Sequence, residues 1–182
     1  GGSISSTMIK KITIAILSLL IFISTSVANA CDFKMGQFGD SREKIKLEPP
    51  PMSFPDEFGG EAILVPLEAV CKDDEDLFGT TIIYLYINKK LSQIRLERPL
   101  FNDARLMDFS MKKYGIFALP AGIKKIDWRG SNQWENNSER IIYIHTDIQG
   151  GSLELLEINS KLYEKDLITY FEKFGKWLDS QK

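Results

Sequence analysis

The stretch IIYLYINKKLSQIRL, Ile82 to Leu96, decides how this chain folds. Ile82 to Ile87 is apolar or aromatic without interruption and rich in β-branched side chains, which suits a strand covered on both sides. Asn88-Lys89-Lys90 supplies a turn. Ile94 and Leu96 then alternate with Arg95 and Glu97, so the returning strand has one buried and one wet face. Beyond Arg98-Pro99 the period changes. Ala104, Met107, Met111 and Tyr114 recur at helical spacing, with Asn102 or Asp103 as the expected N-cap and Gly115 as the stop.

The same order of signals returns downstream. IIYIHT, Ile141 to Thr146, turns at Gln149-Gly150-Gly151 and comes back through Leu153 to Ile158. Leu167, Tyr170, Phe171, Phe174, Trp177 and Leu178 then recur at helical spacing, with Gly175 inside the pattern. The step from Ile82 to Gly115 is 33 residues and that from Ile141 to Gly175 is 34. Matching hairpin, helix and glycine predicts an α+β domain of two ββα repeats, 82–115 and 141–178. The expected sheet has four antiparallel strands with both helices on one face, related by a pseudo-twofold axis, and Met111 and Phe171 as equivalent core positions. Glu61 to Val70 is also strand-like, but Pro66 cannot donate to a ladder, so this segment is expected at a sheet edge.

The N-terminal region reads differently. Lys10-Lys11 is a short basic region, Ile12 to Ile23 an apolar one, and Ala28-Asn29-Ala30 a small-residue cleavage site, so 8–30 is read as a secretory signal peptide. Gly1 to Thr7 lie upstream of Met8 and carry no fold information. The remaining chain, 31–182, is long enough for one domain with its own core. It holds 21 Lys and Arg against 25 Asp and Glu, no basic footprint for nucleic acid and no second apolar run that could span a membrane.

Both cysteines lie in the exported part. Cys31 and Cys71 can form a disulfide, as an oxidising compartment allows. Alternatively, Ala30-Cys31 resembles the lipobox of bacterial lipoproteins, although Ala28 stands where that pattern usually has Leu; the resemblance implies a lipid anchor on Cys31. Residues 31–60 read as a polar extension followed by a linker stiffened by Pro49-Pro50-Pro51, ahead of a single α+β domain over 61–182. The acidic run Asp73 to Asp76 lacks the spacing of a calcium loop and reads as a solvated turn.

Chemistry is sparse. His145 is the one histidine, so no His/Cys zinc cluster can be assembled and a Ser–His–acid triad would have to use it without a Gly-x-Ser-x-Gly elbow. No phosphate loop or dinucleotide fingerprint is present, and no cofactor or metal is expected. The remaining candidates are aromatic. Trp128 and Trp134 flank a polar segment and could form a stacking platform or a lid on the core. Tyr84, Tyr86, Tyr143 and His145 are expected on one sheet face. Two function classes stand. One is a periplasmic or secreted, non-enzymatic protein that binds another envelope protein or a small ligand through an uncovered sheet face or the tryptophan loop. The other is a cofactor-independent hydrolase using carboxylates or His145.

Overall fold

The computed structural model describes residues 31–99 and 103–182; the expected signal peptide and the Asn102 cap lie outside the described residues. The architecture is α+β. Seven antiparallel strands form one open sheet in the order β1-β2-β3-β4-β7-β6-β5. The strands are β1 (Met52–Pro55), β2 (Gly60–Pro66), β3 (Thr81–Ile87), β4 (Lys90–Pro99), β5 (Gly130–Glu135), β6 (Glu139–Ile148) and β7 (Gly151–Ser160). Helices α1 (Leu67–Val70), α2 (Arg105–Tyr114) and α3 (Glu164–Ser180) accompany them.

The two expected hairpins form. Ile82 pairs with Leu96 across β3 and β4, and Ile141 with Ile158 across β6 and β7. Asn88 and Lys89 both take positive φ in the first turn, the conformation that two-residue hairpin turns demand. The hairpins join through β4 and β7, where Ile94 pairs with Ile158 and Leu96 with Leu156. On the outer sides, β2 lies beside β3 with β1 beyond it, and β5 lies beside β6.

Helix placement departs from expectation. Side chains alternate across a strand, so Tyr84 and Tyr86 on β3 face one way and Leu85 and Ile87 the other. Leu106 and Met107 of α2 are buried in the cluster that contains Tyr84 and Tyr86. Leu167 and Tyr170 of α3 are buried with Leu85 and Ile87. The helices therefore lie on opposite faces of the sheet. A twofold that exchanges antiparallel β4 and β7 would keep both helices on the same side, so the expected symmetry is absent. The glycines differ too. Gly115 ends α2 at φ 125°, whereas Gly175 lies inside α3, which continues to Ser180.

Phe171, expected in the core, is 38% exposed. Turning α3 so that Leu167 and Tyr170 face the sheet carries residue 171 to the side of the helix. The N-terminal segment is more than an extension and linker. Phe33 is fully buried in the main core, Tyr84 Oη donates to its carbonyl oxygen, and β1 takes the sheet edge expected for 61–70. Pro66 ends β2 at the point where its missing donor would break the ladder, and α1 follows. Cys31 and Cys71 form a disulfide with Cα atoms 5.5 Å apart, tying the Phe33 segment to the end of α1. A sulfur in that bond cannot also carry the thioether of a lipid anchor.

Strand β5 falls where the sequence suggests a polar loop. GSNQWE holds one large apolar side chain, enough for an edge strand that half-buries Asn132 and Trp134 and pairs on one side. The Asn136 side-chain oxygen closes the turn into β6, accepting from the N–H groups of Ser138 at 2.9 Å and Glu139 at 2.8 Å. No helix among the described residues is long and apolar enough to cross a membrane.

Candidate functional site

Tyr84, Tyr86, Tyr143 and His145 do share one face, but that face is covered by α2, Phe33 and the segment between α2 and β5. All four are at most 1% exposed, and burial pushes the Tyr86 phenol up to about 12. They build the core and are closed to a partner. The two tryptophans pack onto the same core. Trp128 stacks on Tyr143, with centroids 6.2 Å apart and planes 18° apart. Trp134 meets Tyr114 and Phe117 at 5.8 Å each, and its Nε1–H donates to the Gly115 carbonyl at 3.1 Å. Gly130 makes room for the Trp128 ring: a Cβ there would sit 2.7 Å from Cζ2, and its φ of 152° already favours glycine.

A polar row runs beneath this layer. In register, Arg98 on β4 faces Glu154 on β7, and Glu154 faces His145 on β6. Glu154 is fully buried. Its carboxylate accepts from the main-chain N–H of Met107 at 2.8 Å, the N–H of Leu106 at 3.3 Å and Tyr143 Oη at 2.8 Å, and Arg98 lies 3.9 Å away. Helix α2 begins without a side-chain cap of its own. A buried carboxyl group delivered from the sheet takes that place, its oxygens meeting two otherwise unpaired N–H groups at the helix start. Asp103, an expected cap, instead pairs with Arg98 at 2.8 Å and Arg105 at 3.2 Å.

Burial holds the Glu154 carboxyl above its ordinary range, outweighing the hydrogen bonds and Arg98, which favour the charged form. Burial likewise pushes His145 down, with Arg129 adding to the shift and Asp147 opposing it. Neither ring nitrogen of His145 has a hydrogen-bond partner among the described residues. All the Glu154 partners belong to the fold, so this row fastens α2 to the sheet. Sequence reading missed Glu154 and Arg98 because only strand register shows that they meet. The one available hint was a charged residue at an inward position of each strand.

The opposite face is the accessible one. Helix α3 covers β3 and β4 near Leu85 and Ile87 and stops there. Beyond it, Leu64, Ile83, Ile142 and Ile144, with Leu153 and Leu155 on β7, point outward and remain partly exposed. In register, Leu64 lies beside Ile83 and Ile142 beside Glu157, while Ile144 lies beside Leu155. The centre of this surface is charged. Arg95 pairs with Glu157 at 3.1 Å and Glu97 at 3.3 Å. Where α3 meets the sheet, a groove of about 480 Å³ opens between Ile142 and the helix residues Leu167, Ile168 and Phe171, with Arg140 and Glu164 at its rim. Those two rim residues pair at 2.7 Å. A second hollow, about 540 Å³, borders β5 and β6 beside Arg129 and Asp147.

The second face gathers what a binding surface uses: apolar area, a fixed ion-pair cluster and a groove. Sequence alternation alone places Ile142 and Ile144 opposite Tyr143, but it does not reveal which face α3 leaves bare. No known protein family, curated protein or solved structure matches this chain.

Proposed function

We propose that this is an exported, non-enzymatic envelope protein, periplasmic or secreted, that binds another protein through the open half of its second sheet face. The observation that carries this reading is the row of partly exposed Ile83, Ile142, Ile144 and Leu155 that α3 leaves uncovered. Partly exposed apolar positions on several strands of one face form a patch of the kind that marks interaction sites. The surface is broad because it follows the sheet, and its Arg95–Glu157–Glu97 cluster gives it a charge pattern to match. These features suit a flat protein partner, with one side chain entering the groove beside Ile168 and Phe171. The disulfide supports export.

The test is capture from envelope extracts with the disulfide-bonded chain starting at Cys31, beside an Ile142→Asp/Ile144→Asp variant whose melting transition shows that it remains folded. A protein retained by the wild type and lost with the variant supports the assignment once the purified pair associates directly. Identical capture by both, or none by either, refutes it.

A further inference from the structure

The segment KKYGIFALPAGIKKI, 112–126, carries four lysines and no acid, although residues 31–182 as a whole have four more acids than bases. Lys112 and Lys113 end α2, and Lys124 and Lys125 open the 3-10 turn that leads to Trp128. The uncharged stretch between them reverses where the Ile123 N–H donates to the Pro120 carbonyl at 3.2 Å.

The two sides of the loop differ. Phe117 points inward, 5.4 Å from Trp128 and 5.8 Å from Trp134, and anchors the loop on the core. Ile116 beside it is 89% exposed and Ile123 is 45% exposed. Lys125 pairs with Asp108 of α2, four residues before Lys112 and so one helical turn away. This draws the second lysine pair toward the first. Lys113 lies over the Phe33 ring at 4.6 Å, whereas Lys112 and Lys124 are exposed and form no ion pair among the described residues. Asp108 and Asp127 neighbour the segment in sequence, with Asp108 already paired to Lys125. Asp32 and Glu139 also lie near Lys113, and Glu139 is paired with Lys34.

Exposed branched aliphatic side chains on an anchored loop, bracketed in sequence by cations, fit an anionic bilayer surface. The apolar tips enter the headgroup–acyl boundary while the ammonium groups meet phosphate. A protein interface fits less well. Its apolar anchors sit within a patch whose rim excludes water, whereas Ile116 stands almost bare. We propose that the 112–126 loop docks this protein onto membranes containing anionic phospholipid. The loop lies on the α2 side of the sheet, so docking leaves the second face free.

The test is co-sedimentation of the disulfide-bonded chain starting at Cys31, the compact unit of the fold, with vesicles of phosphatidylcholine alone or mixed equally with phosphatidylglycerol. Binding is expected only to the mixed vesicles and should fall steeply with added salt. Lys112→Gln/Lys124→Gln should weaken it about 30-fold, and Ile116→Ser/Ile123→Ser about tenfold or more. Both pairs change exposed side chains, and matched melting curves will show that the fold is intact. Equal binding to both vesicle types, binding to neither, or variants that sediment like the wild type would each overturn the proposal. So would association with an acidic protein in the absence of any vesicle binding.

Discussion

The Glu154 carboxylate on β7 accepts a hydrogen bond from the Met107 main-chain N–H at 2.8 Å, so a sheet residue caps a helix distant in sequence. Removing that acceptor leaves buried N–H groups and the Tyr143 hydroxyl without a partner. Glu154→Ala should therefore cost about 3–5 kcal/mol in urea unfolding. Tyr143→Phe removes one donor and should cost about 1 kcal/mol. Equal, small losses for both would mean that α2 is held by packing alone.

The same carboxyl predicts a pH dependence. Its folded pKa is raised, chiefly by burial. Its contribution is fully present below the unfolded pKa, about 4.3, and is lost as pH rises through the folded value. Wild-type stability relative to Glu154→Gln should accordingly fall as pH rises through that window. A relative stability that rises there would show that the hydrogen bonds and Arg98 prevail over burial.

His145 acts in the opposite direction. Its folded pKa is lowered, first by burial and then by Arg129, so the native state binds fewer protons than the unfolded chain once pH drops below about 6.5. Stability from this residue is lost as pH falls. Because the chain has a single histidine, one imidazole NMR signal reports it directly. That signal should titrate below pH 6.5 in the folded protein, and an ordinary midpoint would show the ring to be solvated.

The disulfide closes a loop between positions 40 residues apart, worth about 4 kcal/mol in the chain-entropy account. Cys71→Ser should lower the melting temperature under oxidising conditions and have far less effect with reductant present. An equal effect in both would mean that Cys71, 6% exposed, matters only as a buried side chain.

Helix α3 separates stability from binding. Leu167 is 4% exposed, and Leu167→Ala should cost about 2–5 kcal/mol. Phe171, 38% exposed at the groove, should lose no more than about 1 kcal/mol on truncation, with its larger effect on partner binding. If Phe171→Ala is the more destabilising change, α3 is rotated from the position described.

Much of this fold was legible locally. The two hairpins could be read because Ile82 to Leu96 and Ile141 to Ile158 combine alternation with turn residues, and both signals are short in range. The face on which each helix lands was not legible. Leu167 and Met107 sit in similar stripes, and the choice depends on how the chain leaves β4 and β7. Strand β5 stayed hidden because an edge strand needs little apolar content. Tyr143 and His145 were rightly grouped on one face, but α2, which covers it, cannot be placed by periodicity. Glu154 and Arg98 meet only through strand register, so no spacing in the sequence announced them.

Photo-crosslinking in cells shows whether a partner sits on the open second face. A benzophenone side chain replacing Ile144 or Leu155, on that face, should yield the same protein adduct from both positions. One replacing Glu68, exposed on α1, should yield none. Adducts absent from Ile144 and Leu155, or formed equally from Glu68, would mean that no partner binds this face.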